Sequence, residues 1–207
     1  MARRTDHSRE ELAELVVGAA ETLARREGLR GIAMRRIAAE IGYAAGSIYN
    51  AVGDLDAVVL RVNARTLERL RAALVRLVDP ARPPIENALA VADGYLDFVA
   101  RQPRLWGVIL EHVLPPGSDF PDWYEKALAA TTNVVDEVLK PLVADEDERR
   151  RAVATLWASL HGLASLSSSG KLAVVDRDDP RAMAHLLIRR FLGGAASQAR
   201  TGDGVVR

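Results

Sequence analysis

Met34-Arg35-Arg36-Ile37-Ala38-Ala39-Glu40-Ile41-Gly42-Tyr43-Ala44-Ala45-Gly46-Ser47-Ile48-Tyr49-Asn50 reads as two short helices joined by a tight turn. Ile37, Ala38 and Ile41 share one face of the first helix, and Gly42 supplies the backbone freedom that the turn needs. The second helix spans about Ala45 to Ala51 and breaks at Gly53. Ala38, Ile41 and Ile48 are small or aliphatic where two such helices must cross closely. A longer helix comes before them. Ser8 with Glu11 three residues on forms a capping box. Leu12, Leu15, Val16, Ala19, Ala20 and Leu23 then recur at helical spacing, until Gly28 and Gly31 stop the run. This is the helix-turn-helix pattern, although corners of the same kind also occur in plain bundles.

The rest of the chain is helical as well. Asp54 caps a long helix carrying Leu55, Val58, Val59, Val62, Leu67, Leu70, Leu74 and Leu77, which ends before Asp79-Pro80. Further helices run from Pro83-Pro84 to Gln102-Pro103, from Arg104 to Leu114, and from Pro121 to about Leu139. Two more span about Asp147 to Ser169-Gly170 and Asp179-Pro180 to about Ala199. No period-2 alternation appears. The expectation is an all-α protein of about nine helices. Residues 1–53 form an N-terminal helix-turn-helix unit, 54–200 an antiparallel helical bundle, and 201–207 a flexible tail.

Composition narrows the class. Of the 207 residues 49% are hydrophobic and 27% charged, which suits a globular chain. There is no cysteine, so disulfides, thiolate metal sites and cysteine nucleophiles are excluded. No apolar run approaches the ~20 residues of a membrane span. The stretch from Met1 to His7 leads into an amphipathic helix rather than an apolar one, so the expectations are no signal peptide and a cytoplasmic protein. The 28 Lys+Arg balance the 28 Asp+Glu, which at first argues against nucleic acid. Distribution changes that reading: Leu29 to Gly53 holds Arg30, Arg35 and Arg36 against Glu40 alone.

The segment from Gly28 to about Leu60 resembles the N-terminal domain of TetR-family transcriptional regulators. Ile37, Ala38, Gly42, Gly46, Ser47, Ile48 and Tyr49 carry the match, and a long fourth helix follows as in that family. Trp157-Ala158-Ser159-Leu160-His161-Gly162 is similar to the Trp…His-Gly motif of one TetR-like C-terminal class. The resemblance implies a homodimeric, ligand-responsive regulator that binds a double-stranded DNA operator, acts as a repressor and is released by a small-molecule effector. A helical protein-binding regulator with weakened DNA contact is the alternative.

On that reading Tyr43, Ala44, Ala45, Gly46, Ser47, Tyr49 and Asn50 face DNA. From Gly42 to Gly53 no residue is charged. Ser47 and Tyr49 can donate to phosphate oxygens, Asn50 can pair with adenine or phosphate, and Ala44 or Ala45 can meet a thymine methyl. Positive charge comes from Arg3 and Arg4 on an arm, and from Arg35 and Arg36 at a helix N-terminus that itself favours phosphate. Taken on their residues alone, Arg35-Arg36 is equally a solvated face, Tyr49 a half-buried packing residue, and Arg3-Arg4 a loose tail. The family pattern is not complete. Ala51 and Leu55 stand where the family commonly has a His and a Lys near the DNA backbone, and Ala33 stands where a Ser or Thr caps the second helix. Weak or salt-sensitive DNA binding is the consequence.

In the bundle, the resemblance implies an effector pocket and a dimer seam built from about 150–169 and 180–198. Tyr95, Phe98, Trp106, Ile109, Leu110, Trp157 and His161 are the candidate pocket residues, with core packing as the alternative for each. His161 reads equally as a core histidine bonded to a carbonyl, and His112 beside Glu111 as surface or interface. The last helix has apolar residues on more than one face, and the surplus suits a two-fold interface. No catalytic constellation emerges. His7, His112, His161 and His185 never follow a Glu by three, as helical di-metal sites need. Nucleophile-elbow, P-loop and dinucleotide motifs are missing. No enzyme activity, metal, cofactor or membrane partner is expected.

Overall fold

The computed structural model describes residues 7–175 and 179–202, with side chains described except at 175 and 194–202. Arg3, Arg4 and residues 203–207 lie outside the described residues. Among the described residues the chain is all helix, with no strand. In order the helices are α1 (Arg9–Glu27), α2 (Met34–Ile41), α3 (Ala45–Val52), α4 (Leu55–Val75), α5 (Pro84–Arg101), α6 (Pro103–Glu111), α7 (Asp122–Leu139), α8 (Glu146–Ser168), α9 (Leu172–Val175) and α10 (Pro180–Gly202). A 3-10 turn, Leu29–Gly31, links α1 to α2. The sequence reading lacked α9, because four residues are too few for a hydrophobic period to register. Helix α10 continues to Gly202, two residues into the segment expected as a tail. Among the described residues no helix is long and apolar enough to cross a membrane.

Local chemistry sets the boundaries. The Ser8 hydroxyl accepts from the Glu11 N–H, and Glu11 Oε2 accepts from the Ser8 N–H at 2.7 Å, the two halves of a capping box at α1. Asp54 Oδ1 accepts from the Ala57 N–H at 2.8 Å and Asp145 Oδ1 from Glu148 at 2.8 Å, opening α4 and α8. Ala33 provides no side-chain cap to α2. Gly42 ends α2 at φ 73°, ψ 28°, the left-handed conformation that side chains resist.

The chain divides into two compact units. One holds the described residues up to Glu68 together with Gln102–Leu128; the other holds Arg69–Arg101 and the described residues from Ala129 on. The first unit is built on Val16, Val17 and Leu23 of α1, Ile37 of α2, Ile48 of α3, Val58, Val59 and Val62 of α4, and Leu105 and Val108 of α6, all buried in one cluster. In the second, α5, α8 and α10 pack on one another. Arg181, His185 and Arg189 of α10 pair with Asp97, Asp93 and Glu86 of α5, an antiparallel ladder that fixes one face of α10 inward. Helices α4 and α7 have residues in both units.

Candidate nucleic-acid interface

Helix α3 is held from one side only. Ile48, Ala51 and Val52 are buried in the cluster, while Gly46, Ser47, Tyr49 and Asn50 are exposed. Tyr49 has half its surface in solvent. Its phenol ring is thus partly packed and partly exposed. A Cβ on Gly46 would meet nothing within 4 Å, so the front of the helix is open to close approach. Ala44, at the N-cap, is also exposed, and Ala45 is half-buried. Tyr43 differs from its neighbours: half-buried against the cluster, its hydroxyl lies 2.6 Å from His7 Nδ1. It is therefore already engaged at the turn.

The arginines separate into paired and unpaired groups. Arg36 grips Glu27 with both terminal guanidinium nitrogens, at 2.7 and 2.5 Å. The pair holds the Glu27 carboxyl below the usual carboxylate range and raises Arg36. Arg26 pairs with Glu40 at 3.2 Å and Arg25 with Glu21 at 2.7 Å. Arg35 and Arg30 are exposed and form no ion pair among the described residues. The local excess of two positive charges between Leu29 and Gly53 is thus carried by these two. Leu55, at the position where the family commonly has a Lys, packs against the cluster.

The candidate pocket residues fall in both units. In the second, the Tyr95 hydroxyl on α5 lies 3.1 Å from His161 Nδ1 on α8, and Trp157 stacks on His161 with centroids 5.8 Å apart. Burial lowers the His161 pKa, favouring the neutral ring. Tyr95 is buried, Phe98 half-buried, and Trp157 is 44% exposed. In the first unit, Trp106 is buried, Ile109 half-buried and Leu110 exposed on α6. His112 is a correction to the sequence reading. As C-cap of α6 it turns its ring inward to Asp56 Oδ1 at 2.9 Å, with only 7% of the side chain exposed.

Sequence reasoning missed Asn63. It is 1% exposed on α4, and neither amide atom has a hydrogen-bond partner of full geometry among the described residues. It comes near the buried Tyr124 hydroxyl: burial raises that phenol's pKa and the Asn63 amide opposes the rise. The available signal was a carboxamide set among Val59, Val62 and Leu67 on the apolar stripe of α4.

A family model described as tetracyclin repressor-like, C-terminal domain, matches residues 88–191, half of the chain and the span that contains Trp157 and His161. An HTH-type transcriptional regulator of Mycobacterium tuberculosis is 26% identical over 165 residues, covering 80% of this chain and 74% of its own length. The fold is shared with a protein of unknown function from Rhodococcus sp. RHA1 at TM-score 0.74 and 21% identity, over 94% of this chain and all of that one. It is also shared with Thermus thermophilus FadR, a TetR-family repressor in complex with lauroyl-CoA, at TM-score 0.64 and 21% identity, over 94% of this chain and 96% of that one. Taken with the helix-turn-helix geometry, the match over half its length means that this chain belongs to the TetR family of DNA-binding transcriptional regulators.

Proposed function

We propose that the protein is a homodimeric repressor whose operator affinity falls when a small-molecule effector binds. One observation carries the reading. The uncharged face of α3, Gly46, Ser47, Tyr49 and Asn50, is exposed to solvent, while its other face is locked by Ile48, Ala51 and Val52. Apolar locking on one side with free donors and acceptors on the other is what a groove-reading helix requires. Ser47 and Tyr49 serve phosphates, Asn50 a base edge or phosphate, and Ala44 or Ala45 a thymine methyl. Arg35 adds charge at the α2 N-terminus, and Arg3 and Arg4 add it from the arm. Residues 1–53 supply the DNA-binding domain and 54–200 the effector and dimer functions.

A second copy covers the outer face of α8 and α10. Leu166, Leu186 and Phe191 are exposed on these two helices, while the ion-pair ladder to α5 occupies the inner side of α10. The candidate effector residues form a separate group in each unit: Tyr95, Phe98, Trp157 and His161 in one, and Trp106, Ile109 and Leu110 in the other. Effector binding moves α4, which starts three residues after α3, and so changes the spacing of two recognition helices that must enter successive major grooves, about 34 Å apart.

Gel-shift titration of the full chain compares a duplex from directly upstream of its own gene with a random duplex. Saturable, preferential binding to the upstream duplex supports the reading. Equal affinity for both removes it and favours the protein-binding alternative. Lauroyl-CoA is the first effector probe, through its effect on the upstream complex.

A further inference from the structure

The recognition helix has no charged residue of its own and no side-chain cap at Ala44. Its C-terminal end is nevertheless fastened. Val52 is the last residue of α3, so its carbonyl is one of the acceptors that a helix leaves unused. Arg61 of α4, half-buried, donates from Nη1 to that carbonyl at 2.8 Å. A positive charge at that position also complements the helix dipole. The same guanidinium stands over the ring of Trp123, its carbon 5.9 Å from the centroid. Trp123 belongs to the first turn of α7, which runs on to Leu139. One planar cation therefore touches two elements at once, a flat aromatic face and a helix terminus, which suits Arg and not Lys.

We propose that Arg61 is a positioning residue that couples the first turn of α7 to the recognition helix, through the Trp123 ring on one side and the Val52 carbonyl on the other. The inference rests on the reading of α3 as the DNA-reading helix. It deepens that reading with a route to α3 separate from the backbone of α4. Displacing Trp123 loosens Arg61, and a loosened Arg61 releases the last turn of α3.

Hydrogen exchange read by mass spectrometry on the full chain, without DNA, tests the link. Trp123→Leu and Arg61→Met should each speed exchange in peptides over residues 48–53 by about tenfold, the worth of a charge-assisted hydrogen bond. The double variant should be no faster than either single one, because both cut one chain of contacts. Trp123→Phe, which keeps a ring, should stay near wild type, and peptides from α1 and α5 should exchange at wild-type rates throughout. Affinity for the upstream duplex should fall as the exchange quickens. An α3 rate unchanged by Trp123→Leu, or effects that multiply in the double variant, overturns the coupling. If the exchange result holds while the wild-type chain shows no preference for the upstream duplex, the DNA reading fails and the link stands.

Discussion

Arg36 and Glu27 close a two-pronged ion pair, Nη1 to Oε2 at 2.7 Å and Nη2 to Oε1 at 2.5 Å, that joins the start of α2 to the end of α1. It withdraws one of the few arginines of the helix-turn-helix from free display. Both side chains keep over 40% of their surface in water, so the pair is screened and can open. Glu27→Gln weakens the hold on Arg36 without changing the shape of the residue. Affinity for the upstream duplex should then rise severalfold, and its salt dependence should steepen by about one charge per protomer. The check is the slope of log K against log salt. An unchanged slope would mean that Arg36 already leaves Glu27 when DNA is bound.

Asn63 retains a polar group at a cost to the core. A buried carboxamide without a hydrogen bond of full geometry costs about 1–3 kcal/mol. Leu has the same branched shape, with four side-chain heavy atoms, and no such group. Asn63→Leu should therefore raise the thermal midpoint of the ligand-free protein. A lower midpoint would show that the amide is satisfied in solution.

Arg149 is the opposite case, a buried charge whose Nε and Nη1 donors are both used. It is 7% exposed, donates from Nε to Asp136 Oδ1 at 2.9 Å, and donates from Nη1 to the carbonyls of Val143 and Ala144 at 3.1 and 3.2 Å. It clamps the turn between α7 and α8. Arg149→Leu strands the carboxylate and both carbonyls, and should cost about 2–3 kcal/mol in denaturant unfolding, below the full cost of a wholly buried pair because Asp136 is partly solvated. Lys cannot serve three acceptors spread around a planar fork, so Arg149→Lys should recover less than half of that loss.

His161 gives the stability a pH dependence of known sign. Burial lowers its pKa in the folded chain, so the unfolded chain binds a proton more readily. Stability therefore falls as pH drops below the ordinary histidine value of about 6.5, and is recovered as pH rises. His161→Phe keeps a ring beside Trp157 and removes the titration. The thermal midpoint should fall between pH 7.5 and 5.5 in the wild-type chain and fall less in the variant. Equal falls would place the titrating group elsewhere.

The helix-turn-helix was legible because each of its boundaries is written in a single residue. Ser8 with Glu11, Gly42 and Gly53 act through local backbone chemistry, and the structure places α1, α2 and α3 between them. What sequence could not supply was pairing between elements. Arg36 with Glu27, Arg26 with Glu40 and Arg61 with Val52 depend on how helix ends meet, and nothing in their spacing encodes it. His112 was misread for the same reason. Its neighbour Glu111 suggested surface, but the turn after α6 aims the ring at Asp56.

The central claim, that the exposed face of α3 reads DNA, is tested most directly by two substitutions on that face. Tyr49→Phe removes one hydroxyl and Asn50→Ala one carboxamide, and neither touches the buried side of the helix. Titration of the upstream duplex at fixed salt, with circular dichroism as the folding control, should show weaker binding for both. Asn50→Ala should lose about 1–3 kcal/mol and relax preference at one base position if it reads a base edge, and Tyr49→Phe should weaken all sequences alike. Wild-type affinity in both folded variants would contradict the account.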